Sequence, residues 1–239
     1  SMKLITPGIA LRQVDLRARF GAGDEVAVEG AALSGGGSLS ASGSVVLDRE
    51  MGWPMSLSIS GSRFEVARTP SIRVLVSPEL DLGLEDGLFH AEGVIRVPEA
   101  SIEPADITAA ASPSEDVIVQ GRATDEPEAV PVRIRADVNF EMGEKITFRG
   151  FGLTGRVSGS ISVKERPGEP TTATGELQIH DGEYKAFGRT LTIERGRLVY
   201  TGGQIDNPGL DVLAVRHVRE VTAGVQVSGT LLSPVLTLY

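Results

Sequence analysis

The sequence predicts an all-β protein made of successive antiparallel strands. Three observations carry that expectation: strict apolar–polar alternation in run after run, turn residues between the runs, and no stretch with helical periodicity. The clearest strand is Arg133-Ile134-Arg135-Ala136-Asp137-Val138-Asn139-Phe140, opened by Val132, in which every even residue is apolar and every odd one polar. Period two places one set of side chains on a buried face and the other on a wet face.

The same alternation appears, in chain order, at Val14, Leu16, Ala18 and Phe20, at Met55, Leu57 and Ile59, at Ile72, Val74 and Val76, and at Leu80, Leu82 and Leu84. It returns at Val157, Ile161 and Val163, at Leu177 and Ile179, at Leu191 and Ile193, and at Val225 and Val227. Between runs stand Glu85-Asp86-Gly87, Asp181-Gly182, Arg195-Gly196 and Gly202-Gly203, each suited to a tight hairpin that needs positive φ. Sequential antiparallel pairing is therefore the expected topology. A short repeat, an apolar residue or Ala followed by Ser-Gly, ends at Gly35, Gly43, Gly61, Gly159 and Gly229. Glycine inside a strand marks a bulge or bend, so this repeat is a candidate device for curling a long sheet.

One interval differs. From Pro98 to Pro131 the chain carries five prolines and the acidic cluster Asp125, Glu126 and Glu128, with Val117-Ile118-Val119 as its one short strand candidate. It reads as a long connection within a single segment running from 1 to 239, a domain boundary being the competing reading. Ser1-Met2 reads as the remnant of a cleaved tag.

Composition narrows the function classes. The hydrophobic fraction is 41% but aromatics supply 5%, so any interior is lined by Val, Ile, Leu and Ala. With 29 Gly and 13 Pro, long helices are disfavoured. A net charge of −9, with Lys and Arg scattered, repels phosphate backbones and argues against a nucleic-acid partner. The chain has no cysteine, so neither a disulfide framework nor a thiolate metal site is available. That fits a reducing cytosol or an exported chain without thiols. No run approaches the roughly 20 apolar residues that span a bilayer as a helix.

No constellation points to catalysis, and neither metal nor cofactor is expected. His90, His180 and His217 lie far from one another and read as turn or surface residues. His180-Asp181-Gly182-Glu183 is explained by turn chemistry. Gly35-Gly36-Gly37 lacks the Gly-Lys-Ser/Thr of a phosphate loop, and Asp81 to Gly87 lacks the alternating oxygens of a calcium loop. The carboxylates fall mostly on the wet positions of strands. The reading is of a protein that is not an enzyme.

Strands with one apolar face and no helix to cover it must cover themselves. A closed barrel, two packed layers and a rolled trough with a partly open wall all meet that need.

Residues 175 to 239 resemble the conserved C-terminal domain of the TamB family. The likeness is carried by Gly175-Glu176-Leu177-Gln178-Ile179, by the run from Gly182-Glu183-Tyr184 to Thr190-Leu191, and by the run from Ile193-Glu194-Arg195 to Val199-Tyr200. It continues through Asn207-Pro208-Gly209-Leu210-Asp211-Val212, Ala214-Val215-Arg216 and Val227-Ser228-Gly229-Thr230, and closes at Pro234-Val235-Leu236-Thr237-Leu238. Upstream, Ile107-Thr108 and Ser112 to Val117 look like the same family, and the first hundred residues match in style.

The resemblance implies an elongated antiparallel rolled sheet, a β-taco or open β-groove with an apolar concave interior. It implies a periplasmic segment of a longer protein, anchored in the inner membrane of a Gram-negative bacterium and running on past Tyr239. It further implies cooperation with a TamA-like outer-membrane barrel in outer-membrane biogenesis, within a translocation and assembly module. Two cargoes follow from it: phospholipid, and nascent outer-membrane polypeptides such as autotransporters. The residues expected to line such a groove are Val132, Ile134, Ala136, Val138 and Phe140, then Ile161, Val163, Leu177 and Ile179, and finally Leu191, Ile193, Leu198 and Tyr200. A closed, dry core is their alternative role. The last strand, with Val235, Leu236 and Leu238, is the expected edge for docking a partner barrel by strand addition, the competing function.

Overall fold

The computed structural model describes residues 9–21, 23–104, 133–186, 188–219 and 221–238. Among them every regular element is a strand, and no helix is long and apolar enough to cross a membrane. In chain order the strands are β1 (Arg12–Phe20), β2 (Glu25–Ser34), β3 (Gly37–Val46), β4 (Met55–Ser62), β5 (Phe64–Arg68), β6 (Ile72–Glu85) and β7 (Leu88–Ile102). They continue as β8 (Arg133–Gly150), β9 (Leu153–Glu165), β10 (Thr172–Ala186), β11 (Arg189–Gln204), β12 (Gly209–Val218), β13 (Val221–Thr230) and β14 (Ser233–Leu238). All belong to one open sheet in which each strand lies beside its sequence neighbour, with β4 and β5 sharing the edge of β6.

The pairing is antiparallel with one exception: β7 and β8 run parallel. A parallel pair needs a crossover that returns the chain to the far end of the strand it has just left. At about 3.3 Å per residue, the 15 residues of β7 span roughly 50 Å, which residues 103 to 132 are long enough to recross. The expected long connection therefore begins after Ile102, four residues beyond Pro98. Pro98 itself sits inside β7 at a register shift in both of its ladders, between Leu75 and Ser77 on one side and between Val97 and Glu99 on the other. A bulge is where a strand tolerates a residue with no N–H.

Of the four expected hairpins, one forms. Asp86 and Gly87 take φ of 49° and 69° and join β6 to β7. Asp181-Gly182 lies within β10, where Asp181 (φ 50°) is the residue of a bulge against β9. Arg195-Gly196 lies within β11 beside a register shift against β12, and Gly202-Gly203 lies near that strand's end. The left-handed conformation that closes a two-residue hairpin also serves a bulge, so the same residues mark either. Two further tight turns, Gly35-Gly36 and Phe151-Gly152, have positive φ at each residue.

Residues directly opposite one another share a face, so the register maps the faces. One row reads Val28, Gly43, Leu57, Leu82, Ala91, Ala136 from β2 to β8. Another reads Phe140, Ile161, Gly175, Tyr200 from β8 to β11, and a third Ile193, Ala214, Val225, Leu238 from β11 to β14. The opposite face is mostly polar, with Leu75 and Val215 buried on it: Ser58 donates to Asp81 at 2.6 Å, Arg96 bridges Glu79 and Glu141 at 2.7 and 3.1 Å, and Arg195 and Arg197 clasp Asp211 at 2.7 and 2.6 Å. The hydrogen bond from Arg197, with help from Arg195, holds the Asp211 carboxyl below the usual aspartate range.

Four of the five Ser-Gly repeats share one geometry. Gly43, Gly61, Gly159 and Gly229 stand on the apolar face, and a side chain at any of them would run into the backbone oxygen of Ser56, Ser38, Glu176 or Ser233 of the neighbouring strand. Their serines point to the polar face. Removing bulk from one face lets the strands approach there, which bends the sheet towards that face. The fifth, Gly35, lies in the β2–β3 turn.

Two outcomes follow. Gly159→Val, which adds a side chain against the Glu176 carbonyl at a φ of 117°, lowers unfolding free energy by about 3 kcal/mol or more. Gly203→Ala, in open space, leaves it near the wild-type value; urea midpoints compare the two. Asp211→Asn is less stable than wild type at pH 7. A depressed carboxylate stabilises the fold above its ordinary pKa and loses that contribution as pH falls through the lowered one, so the difference between variant and wild type closes below about pH 4.

Candidate functional site

The apolar face has no second layer over it among the described residues. Its most buried side chains are scattered along the sheet: Val26, Phe64, Val97, Ala100, Val138, Ile146, Ala173, Ile193 and Ala214. The main cluster joins Val97, Ala100 and Ile146, with Val74, Val76, Ile95, Met142 and Val157 packed on them. Towards both ends of the sheet the face opens. Leu16 and Phe20 on β1, and Leu236 and Leu238 on β14, are largely exposed.

In the C-terminal half the face encloses a cavity of about 650 Å3. Leu153 of β9, Ile179 and Tyr184 of β10, Leu191 and Ile193 of β11, Val212 and Ala214 of β12, Val225 and Val227 of β13 and Leu236 of β14 line it. Strands lie about 4.8 Å apart, so a flat sheet would hold Leu153 and Leu236 about 24 Å from one another. Lining one space, they look across a concave wall. A smaller apolar cavity of about 250 Å3 adjoins it, bounded by Phe148, Val157, Leu177 and Leu198 and sharing Leu153 and Ile179.

The residues expected to line a groove divide into three sets. Leu177, Ile179, Leu191, Ile193 and Leu198 line these two cavities. Ile134, Ala136, Val138, Phe140, Ile161, Val163 and Tyr200 lie on the same face by register, outside those cavities. Ile134 is nearly half exposed and Val138 is buried. Tyr200 is half-buried there, and burial pushes its phenol above the usual range. Val132 lies outside the described residues. Val235, Leu236 and Leu238 sit on β14, the last strand of the sheet, paired on one side only, with every residue of the strand exposed.

Sequence reasoning missed Phe151, Leu153, Tyr184, Val212 and Ala214 as lining residues. Phe151 stands in a turn, where an aromatic residue gives no strand signal. Tyr184 follows the Asp181 bulge, which shifts the alternation by one. Val225 and Val227 were legible as a strand, and Leu236 serves the cavity wall as well as the edge.

The three histidines occupy strands on the polar face. His180 shares a hydrogen bond of 2.7 Å with Ser158, and His217 contacts Thr222 and Glu194 at 2.9 and 3.2 Å. The ring of His90 lies over Gly83, where a side chain would displace it. No group of three or more metal-binding side chains occurs among the described residues.

The profile of the family described as TamB C-terminal domain matches residues 29–239. The sequence is 26% identical over 204 residues to the Translocation and assembly module subunit TamB of Haemophilus influenzae, covering 78% of this chain and 16% of that protein. The chain thus spans about a sixth of the length of that relative.

Proposed function

We infer the function from one premise, that the chain belongs to the TamB C-terminal domain family, and propose that it is a periplasmic part of a translocation and assembly module. In this reading it performs no chemistry. Its concave apolar face shields apolar cargo, either phospholipid acyl chains or the strands of nascent outer-membrane proteins. The cargo passes through the aqueous periplasm to a TamA-like barrel, and the parent protein is anchored in the inner membrane. The observation that supports this reading is a single apolar face continued through fourteen strands with no layer over it among the described residues.

The energetics suit transfer. Each methylene removed from water contributes about 0.8 kcal/mol, so an acyl chain partly covered by the wall is held by several kcal/mol. No contact in such a wall is specific to one position, so the chain can slide. A contiguous apolar surface larger than a few hundred Å2 is rare on a protein that has nothing to cover.

A second reading has support of its own. β14 is a short edge strand whose outer backbone groups have no partner strand among the described residues, and such an edge accepts strand addition from a barrel.

Leu191→Arg places a charge in the centre of the larger cavity on a half-buried position. Native mass spectrometry is expected to find phospholipid on wild type and none on the variant, which keeps a β-sheet circular dichroism spectrum; undiminished lipid in a folded variant sinks the shielding role. Thr237→Pro interrupts the edge strand, so it reduces capture of the purified partner barrel while bound lipid is unchanged. Intact capture together with lost lipid removes the docking reading.

A further inference from the structure

The larger cavity is apolar along its whole length except at one end. There Arg189, the first residue of β11, and Tyr184 of β10 line it, and every other lining side chain is apolar or the aliphatic wall itself. The register explains why they meet. Tyr184 faces Leu191, and Ala186 faces Arg189, at the hairpin that closes β10 onto β11, so guanidinium and phenol stand on the same face within two residues of the sheet's rim. Both side chains are exposed, so their donors are available at the mouth.

A second cavity, of about 630 Å3, begins where the first ends. Phe151 and Leu153 line both, and the second is otherwise polar, with Arg149, Lys185, Glu103 and Glu183 around it. Arg149 lies 3.8 Å from Glu103. Phe151, which divides the two spaces, is 63% exposed and holds φ at 53°, a conformation an aromatic residue rarely adopts and that Asn or Gly ordinarily fills in such a turn. An apolar side chain kept in a disfavoured turn position at the boundary between a greasy cavity and one whose two cations and two carboxylates balance is positioned to contact the neck of an amphiphile.

We propose that this end of the sheet is a phosphate-recognition site for a phospholipid, with an acyl chain in the apolar cavity and its phosphate on Arg189 and Tyr184. The headgroup passes over Phe151 to the rim of the sheet, beyond which Glu183 and Lys185 stand on the opposite face. The assignment rests on the shielding role proposed above and deepens it by choosing the cargo: every phospholipid carries its anion at the same distance from its acyl chains, whereas in a polypeptide strand the spacing between carboxylates and apolar side chains varies with the sequence. A cavity of about 650 Å3 lies within the roughly 300–1,000 Å3 of small-molecule sites, which are mostly apolar with a few converging polar groups. A guanidinium presents a planar fork of donors that matches phosphate, and a phenol adds one more. The cavity's polar end therefore fixes the orientation in which a lipid enters.

The test separates this site from the wall that carries it. Dioleoyl phosphatidic acid and dioleoylglycerol, which differ by the phosphate alone, are delivered from cyclodextrin to the purified chain, and bound lipid is counted by native mass spectrometry. Wild type retains phosphatidic acid about tenfold over dioleoylglycerol, and Arg189→Gln brings the two close to equal while still binding both. Leu191→Arg binds neither. Equal retention by wild type, or an unchanged preference in Arg189→Gln, overturns the phosphate site and leaves the apolar wall standing. Retention of neither lipid by wild type overturns the shielding role and the site together.

Discussion

Register is the constraint on which everything else in this molecule depends. Side chains alternate between faces with a period of two, so a one-residue slip in any ladder would move a strand's whole apolar set into water and its charges onto the concave wall. The ladders nevertheless contain repeated bulges, and in three strands a bulge shifts the alternation. In β10 the apolar positions are odd up to Ile179 and even from Gly182 to Tyr184, the change falling at Asp181. In β11 they change from odd at Leu191 and Ile193 to even at Leu198 and Tyr200, beside the shift between Ile193 and Arg195. In β7 they change from odd at Val97 to even at Ala100, across Pro98. In these three strands the shift in the ladder is matched by a shift in the sequence, and the two together keep one face apolar.

The bulges also explain what was legible in the sequence. Alternation identified the fold class, because period two has no helical counterpart, but it left Leu153, Tyr184, Val212 and Ala214 out of the apolar set. What alternation cannot distinguish is a strand that ends from a strand that changes parity. Asp181-Gly182 and Arg195-Gly196 carry the residues of a tight turn at a break in the pattern, and a hairpin is the ordinary meaning of both signs. Strands of 15 and 16 residues run straight through them. The parallel pairing of β7 with β8 was hidden for a different reason: a crossover is a property of where the chain returns, and no local residue encodes it. The polar end of the cavity was hidden because it is assembled by a turn at Phe151 and a strand start at Arg189, neither of which is periodic.

Curvature has a local chemical origin. Ala-Ser-Gly, Ile-Ser-Gly, Val-Ser-Gly and Val-Ser-Gly place an apolar side chain, a polar one and no side chain at all on inner face, outer face and inner face in turn. The missing side chain is where the neighbouring backbone closes in, at Gly43, Gly61, Gly159 and Gly229. On the outer face, serines and ion pairs such as Arg96 with Glu79 and Glu141 occupy the wider side of the bend, where long side chains have room. The same residues that keep one face polar thus favour rolling away from it.

A sheet of this kind gives up stability that a covering layer would supply. Packing a helix or a second sheet on the wall would bury the half-exposed positions, at about 25 cal/mol for each Å2 of apolar surface removed from water. The ladders and the polar-face pairs hold the strands instead, and neither requires the apolar face to be closed. That separation lets the wall stay accessible without the sheet coming apart. In the shielding role proposed above, an apolar molecule on the wall would supply the layer absent among the described residues, stabilising the loaded state and leaving the unloaded one folded. An arrangement in which cargo substitutes for a missing core layer needs no moving part, because occupancy changes how much surface is covered and leaves the strand order as it is.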